Sequence, residues 1–197
     1  MSAIRRSGIY QGCCPCSTAT VTGQQNVGAL AGVNYGTITG CVVTGEVKCL
    51  DLSNSHTAGG ICGKLKEGEG PIVGHVEDCY VNADVSAPYD AGGVAGIQDG
   101  GGYLARCFAA GTVDTIAKSG TVGHAGGIAG SFNAGETLKD SVSAQTVING
   151  VADVDKIVVS SMMRQLPISP AILHGRARCC PATSRPSSHQ VGGRFRR

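Results

Sequence analysis

A five-residue glycine signature recurs four times at nearly constant spacing, and no other feature limits the chain's fold as strongly. The copies are Gly28-Ala-Leu-Ala-Gly32, Gly59-Gly-Ile-Cys-Gly63, Gly92-Gly-Val-Ala-Gly96 and Gly126-Gly-Ile-Ala-Gly130, with starts 31, 33 and 34 residues apart. A second signature follows each one: Cys41-Val-Val-Thr-Gly-Glu-Val47, Cys79-Tyr-Val-Asn-Ala-Asp-Val85, Cys107-Phe-Ala-Ala-Gly-Thr-Val113 and Ser141-Val-Ser-Ala-Gln-Thr-Val147. The step from Cys or Ser to the closing Val is six residues in all four copies. An aliphatic residue stands three places before it, at Ile38, Val76, Leu104 and Leu138. A unit this short cannot bury its own apolar face, so its copies must stack on one another to make a core.

The second signature has a period of two, the period of a strand. Four columns run down the copies: Cys41/Cys79/Cys107/Ser141, Val43/Val81/Ala109/Ser143, Gly45/Ala83/Gly111/Gln145 and Val47/Val85/Val113/Val147. They are small and apolar and are expected to face inward, while Glu46/Asp84/Thr112/Thr146 faces water. The fourth copy departs from this pattern, because Ser143 and Gln145 would face the core, as in a terminal repeat. The glycine signature is expected to add a second short strand, with Leu30, Ile61, Val94 and Ile128 pointing inward. Helices are disfavoured, since each Gly costs about 1 kcal/mol relative to Ala in a helix interior. The expected fold is all-β: a parallel β-solenoid, as a right-handed β-helix of about four coils with non-repeat ends.

Composition removes other classes. With 42% hydrophobic residues and a net charge of +2, the chain is no disordered polyelectrolyte. Its 31 glycines lack the strict three-residue period of collagen. No apolar run approaches the ~20 residues of a membrane span. The expected organisation is an irregular segment over 1–16, a solenoid array over 17–159 and a basic, disordered tail over 160–197. Within the array lie a half repeat at 17–25, repeats at 26–56, 57–89, 90–122 and 123–150, and a last strand at 151–159. The charge is split: residues 26–159 hold seven basic and all fourteen acidic residues, while 160–197 hold seven Arg and no acid. That tail lacks amphipathic period and interleaved aromatics, so no nucleic-acid partner is expected. The change of composition after Val159 reads as a non-homologous end, which makes a truncated or mispredicted fragment without independent function one reading. Met1 to Cys16 contains Arg5 and Arg6 but no apolar core, so it is not read as a secretory signal.

Candidate chemistry is sparse. The chain has ten cysteines, and Cys41, Cys79, Cys107 and Cys62 are read as small buried hydrophobes. Stacked coils at about 4.8 Å would permit disulfides by distance, but in-register side chains point the same way. Neither Cys13-Cys14-Pro15-Cys16 nor Cys179-Cys180 has the paired spacing of a zinc site. His56 and His124 each precede a glycine signature without a metallopeptidase pattern. Glu77-Asp78 and Asp153/Asp155 are read as solvated acids rather than a hydrolytic pair. Gly100-Gly101-Gly102 is a loop without phosphate-binding context. No catalytic, cofactor-binding or metal-ligating residue is assigned and no cofactor is expected. The residues singled out are the structural positions that open and close the two signatures.

At these residues the chain resembles the GLUG-motif repeats of bacterial surface proteins. Gly92 to Val113 and Gln25 to Val47 match best, including Asn34 and Gly36 between the two signatures. The resemblance covers about residues 17–150. It departs at the insert from Lys64 to Val76 and at the loss of Cys and Gly in the fourth copy. It implies a β-solenoid in secreted or surface-attached proteins, used as a stalk or display module, with no catalytic residue to carry over. Implied partners are a host or matrix glycan or protein, or neighbouring repeats of a longer chain, and the implied location is extracellular. The reading is therefore a non-enzymatic structural or adhesive module. A β-helix carbohydrate-active enzyme, a polysaccharide lyase or hydrolase, is the alternative. That alternative needs carboxylates on one face across successive coils, and only Glu46 and Asp84 provide them.

Overall fold

The computed structural model describes residues 5–6, 9–11, 19–52, 56–66, 73–116, 123–132 and 137–149. Among them every regular element is a strand. A leading coil contains β1 (Arg5–Arg6), β2 (Ile9–Gln11) and β3 (Ala19–Gly23). Coil one contains β4 (Val27–Gly28), β5 (Ala31–Asn34), β6 (Thr37–Thr39) and β7 (Val42–Cys49). Coil two contains β8 (Thr57–Gly59), β9 (Cys62–Lys66), β10 (His75–Glu77) and β11 (Tyr80–Ala87). Coil three contains β12 (Asp90–Gly92), β13 (Ala95–Asp99), β14 (Tyr103–Ala105) and β15 (Phe108–Thr115). Coil four contains β16 (His124–Gly126), β17 (Ala129–Phe132), β18 (Thr137–Lys139) and β19 (Val142–Asn149).

Equivalent strands of successive coils pair in parallel and build four sheets. Sheet A runs β1-β5-β9-β13-β17, sheet B β2-β6-β10-β14-β18, sheet C β3-β7-β11-β15-β19 and sheet D β4-β8-β12-β16. This is the parallel β-solenoid architecture that the repeats demanded. The register follows the sequence columns: Val81 lies against Val43 and Ala109, Val85 against Val47 and Val113, and Val76 against Ile38 and Leu104. These residues are buried in one core, along with Ile61, Val94 and Ile128. Full burial of an aliphatic side chain stabilises by about 1.5–3 kcal/mol, so these columns hold the stack. No aromatic ring enters the core among the described residues. Instead Tyr80 and Phe108 stack outside it at 5.2 Å, with planes 4° apart.

Several expectations need correction. The glycine signature is not one strand; it is the corner between sheets D and A. Gly59 ends β8, Gly60 and Ile61 make the bend, and Cys62 opens β9. A Cβ on Gly59 would land on Cys62 O and Gly96 N, and one on Gly60 would land on Gly93 O and Val81 Cγ1. The corner thus presses against the inner face of sheet C, and only residues without a side chain fit there. Leu30, in the first copy, is only half-buried beside the core.

The Val147 position also differs. The β15–β19 register shifts between Gly111 and Thr112: Gly111 pairs with Gln145, but Thr112 pairs with Val147 and Val113 with Ile148. Thr146 is the extra residue of a β-bulge, which flips the following side chains to the opposite face. Val147 is 43% exposed, and Ile148 takes the inward place against the core. The constant six-residue step concealed this inserted residue. Segment 1–16, expected to be irregular, supplies β1 and β2, which pair with β5 and β6. These strands carry neither signature and take their conformation from pairing with coil one. The expected last strand at 151–159 and the tail at 160–197 lie outside the described residues.

One further column has no side-chain signature. Asp78, Arg106 and Asp140 have positive φ (52°, 50° and 52°), and Gly40, at the equivalent position in coil one, has φ 66°. Each sits just before the Cys or Ser that opens the second signature. A left-handed residue there turns the chain from sheet B into sheet C. Backbone bonds continue through the corner, from Gly40 N to Glu77 O, Asp78 N to Ala105 O and Arg106 N to Lys139 O.

Candidate functional site

The repeat glycines place a polar row beside the D–A corner. Gly28, Gly59, Gly92 and Gly126 end the strands of sheet D, and Gly32, Gly63, Gly96 and Gly130 are second residues of sheet A strands. Two positions before the first set stand Asn26, Thr57, Asp90 and His124. Asp90 pairs in register with both Thr57 and His124. Thr57 Oγ1 donates to Gly63 O at 2.7 Å, crossing the corner, and lies 3.1 Å from Asn26 Oδ1.

In coils three and four this row carries charge. Asp90 is 1% exposed, and its Oδ1 lies 2.7 Å from Nδ1 of His124. Ser131 Oγ, from β17, lies 3.3 Å from the same Nδ1. Lys64, on β9, contributes positive potential and sits 3.8 Å from Asp99 Oδ2. Burial pushes the Asp90 carboxyl above its ordinary value, while Ser131, His124 and Lys64 pull it down. Its Oδ2 is buried without a hydrogen-bond partner among the described residues.

Ser, His and Asp meeting at one place invites comparison with a nucleophile relay. Such a relay needs the hydroxyl on one ring nitrogen and the carboxylate on the other, so that a proton crosses the imidazole. Here both partners share Nδ1, and Ser131 has no route for its proton through the ring to Asp90. The arrangement fastens coil three to coil four.

Other polar side chains are used in the same way. Arg106 Nε donates to Asp78 Oδ1 at 2.6 Å and Nη2 to Asp78 Oδ2 at 3.0 Å, with Nη2 also on Glu77 Oε2. Asp78 and Glu77 therefore raise the guanidinium pKa, so Arg106 stays charged. Asp84 Oδ1 accepts from Thr112 N at 3.1 Å and Thr112 Oγ1 at 2.7 Å, which takes up one of the two carboxylates of the outward acidic column. Glu46, the other, pairs with Lys48 at 2.6 Å. Asn34 is fully buried; its Nδ2 donates to Gly36 O at 2.9 Å and His75 O at 3.1 Å, and its Oδ1 accepts from Gly36 N at 3.0 Å. Gln98 has the equivalent role in coil three, donating to Gly102 O and Thr137 O.

The cysteine column follows the expectation of buried thiols. Cys41, Cys79 and Cys107 line one corner of the core with Cys62 close by, and none of these four is in a disulfide. The Sγ atoms of Cys41, Cys79 and Cys107 point to carbonyls two residues back, as in Cys79 to Glu77 O at 3.0 Å and Cys107 to Ala105 O at 3.2 Å. Burial, with Cys79 adding to it, pushes the Cys62 thiol up to about 12. Contact with Cys107 raises Cys79 to about 12, with burial adding to that and Cys41 opposing it. Ser141 replaces Cys in coil four and accepts from Cys107 N at 3.1 Å through its hydroxyl. The described residues contain no group of three or more His, Cys, Asp or Glu able to hold a metal ion.

Comparison with known families identifies the first complete repeat. Residues 23–48 match the family model described as the GLUG motif. The chain carries a GLUG motif. It spans β4 to β7, so one GLUG unit supplies one strand to each of the four sheets. Asn34 and Gly36 of this unit are the pair that closes the A–B corner. GLUG motifs are found in extracellular repeat proteins. No curated protein and no solved structure matches the chain. No helix among the described residues is long and apolar enough to cross a membrane.

Of the functional residues, Asp90, His124, Ser131, Gln98 and Arg106 were not recognised from sequence as fasteners. The polar row two positions before the glycines was the available signal. It changes chemistry at each copy (Asn, Thr, Asp, His), and that hid its constant place.

Proposed function

We propose that the chain is a non-enzymatic structural or adhesive repeat module of a cell-surface or secreted protein. The observation that carries this reading is the direction of its polar contacts. Arg106 to Asp78, Asp84 to Thr112, Asp90 to His124, Asn34 to His75 and Gln98 to Thr137 each join one coil to the next. Charged and amide groups serve cohesion along the stack, as a rod or display scaffold requires. The GLUG motif supports an extracellular setting, where the partner is a host or matrix glycan or protein, or further repeats of a longer chain.

The test displays the full chain on a non-adherent bacterium and scores attachment to immobilised glycans and matrix proteins. Attachment above that of cells displaying an unrelated solenoid of equal length supports an adhesive module. An unchanged level with retained surface exposure leaves the spacer role alone. Release of reducing sugar from those glycans would instead overturn the reading in favour of a β-helix carbohydrate-active enzyme.

A further inference from the structure

The Asp90–His124 contact has a property that simple fastening does not need. A carboxylate at 1% exposure, with one oxygen unpartnered, faces an imidazole that is 36% exposed at its side chain. A buried charge without full pairing is costly, and the cost falls when its partner carries the opposite charge. With the imidazole neutral, Nδ1 donates its one proton to Oδ1, and the cluster keeps a buried negative charge. A second proton, taken from solvent at Nε2, turns the ring into an imidazolium and neutralises that charge across the 2.7 Å contact. The remaining groups packed on Asp90 ease its charge without forming an ion pair with it. Thr57 on β8 is spent on Gly63 O, and Ser131 on β17 is a neutral hydroxyl. Lys64 on β9 is drawn toward Asp99 of β13 at 3.8 Å. Tyr89 meets the His124 ring edge-on at 5.7 Å.

We infer that Asp90 and His124 form a proton-operated clasp that docks coil four more tightly on coil three as the surroundings acidify. The device lies at the D–A corner, where Asp90 belongs to β12 and His124 to β16, so the bound proton is shared across the coil boundary. The pair takes up the proton as a unit. The raised carboxyl value of Asp90 has the same sign. A group that the folded state protonates more readily than the unfolded state stabilises the fold as pH falls.

The test uses the full chain and hydrogen exchange read by mass spectrometry at about pH 5.5 and about pH 8, either side of ordinary histidine titration. After correction for intrinsic rates, amides of β16 and β17 are expected to exchange roughly tenfold more slowly at the lower pH. Asp90→Asn keeps the shape and an oxygen acceptor, removes the charge, and is expected to abolish that difference. An equal pH response in Asp90→Asn would overturn the clasp, as would no response in the parent chain. If Asp90→Asn does not fold, the His124 ring is titrated by NMR in the parent chain. Titration that coincides with the protection change supports the clasp. Titration without any change in coil four overturns it.

Discussion

Asn34 shows how much one buried amide controls in this fold. Its side chain closes the turn at Gly36 and reaches the His75 carbonyl of the next coil. Asn34→Ala leaves the Gly36 N–H and two carbonyls without that partner in a buried place. A loss of about 1–3 kcal/mol is expected, read from the urea midpoint. The thiols give a second residue-scale prediction. With Cys62 and Cys79 held near 12, about one thiol in ten thousand is ionised at pH 8 in the folded chain. Alkylation by iodoacetamide is therefore expected to spare both until urea is added, as read by peptide mass spectrometry. The folded state holds these protons more tightly than the unfolded state, whose value is 9.0. The stability they contribute is full below pH 9 and is lost as pH rises toward about 12. Prompt labelling of Cys62 at pH 8 in the folded chain would show that this corner opens.

At the scale of the element, the left-handed corner before each second signature makes a prediction of its own. Arg106 occupies φ 50° and is tied to Asp78 and Glu77, so two opposed terms meet there. Arg106→Gly relieves the backbone and loses an exposed ion pair worth at most about 1 kcal/mol, so its net effect is small. Arg106→Val loses the same pair and forces a β-branched residue into the left-handed region. It is expected to be less stable than Arg106→Gly by about 1–3 kcal/mol in thermal or urea unfolding. Equal stabilities would mean that the corner is not held left-handed in solution. The strands themselves were legible because inward positions repeat one kind of residue: Val47, Val85 and Val113 advertise a shared face. This corner was not legible, because Gly40, Asp78, Arg106 and Asp140 share a backbone angle without a common side chain. The bulge at Thr146 escaped for a related reason, since Val147 and Ile148 are both suited to an inward place. The candidate site was half legible: the glycine frame was visible, whereas the Asp90–His124–Ser131 meeting depends on pairing between coils 34 residues apart.

For the whole molecule, coil four, the last among the described residues, presents a polar and irregular edge. Ser143 and Gln145 turn polar groups toward the core, where they contact each other, and Gln145 also donates to Gly127 O. The bulge at Thr146 breaks the ladder on β19, which is paired on one side only among the described residues. Bulged, polar edges resist strand addition by other chains. Deleting Thr146 restores an even ladder and is expected to promote end-to-end association, seen as concentration-dependent growth in light scattering. A deletion variant that stays as monodisperse as the parent would assign edge protection elsewhere. The direction of the pairing has a mechanical consequence. The strands lie across the stack and their hydrogen bonds run along it, so tension along the long axis pulls those bonds lengthwise. At each boundary between coils one to four the load divides among four sheets at once, and the Arg106, Asp84, Asp90, Asn34 and Gln98 contacts at their respective boundaries act as extra cables in parallel with the backbone. Under such a load the boundary with the fewest of these contacts is expected to give first, as the lowest rupture force in single-molecule pulling.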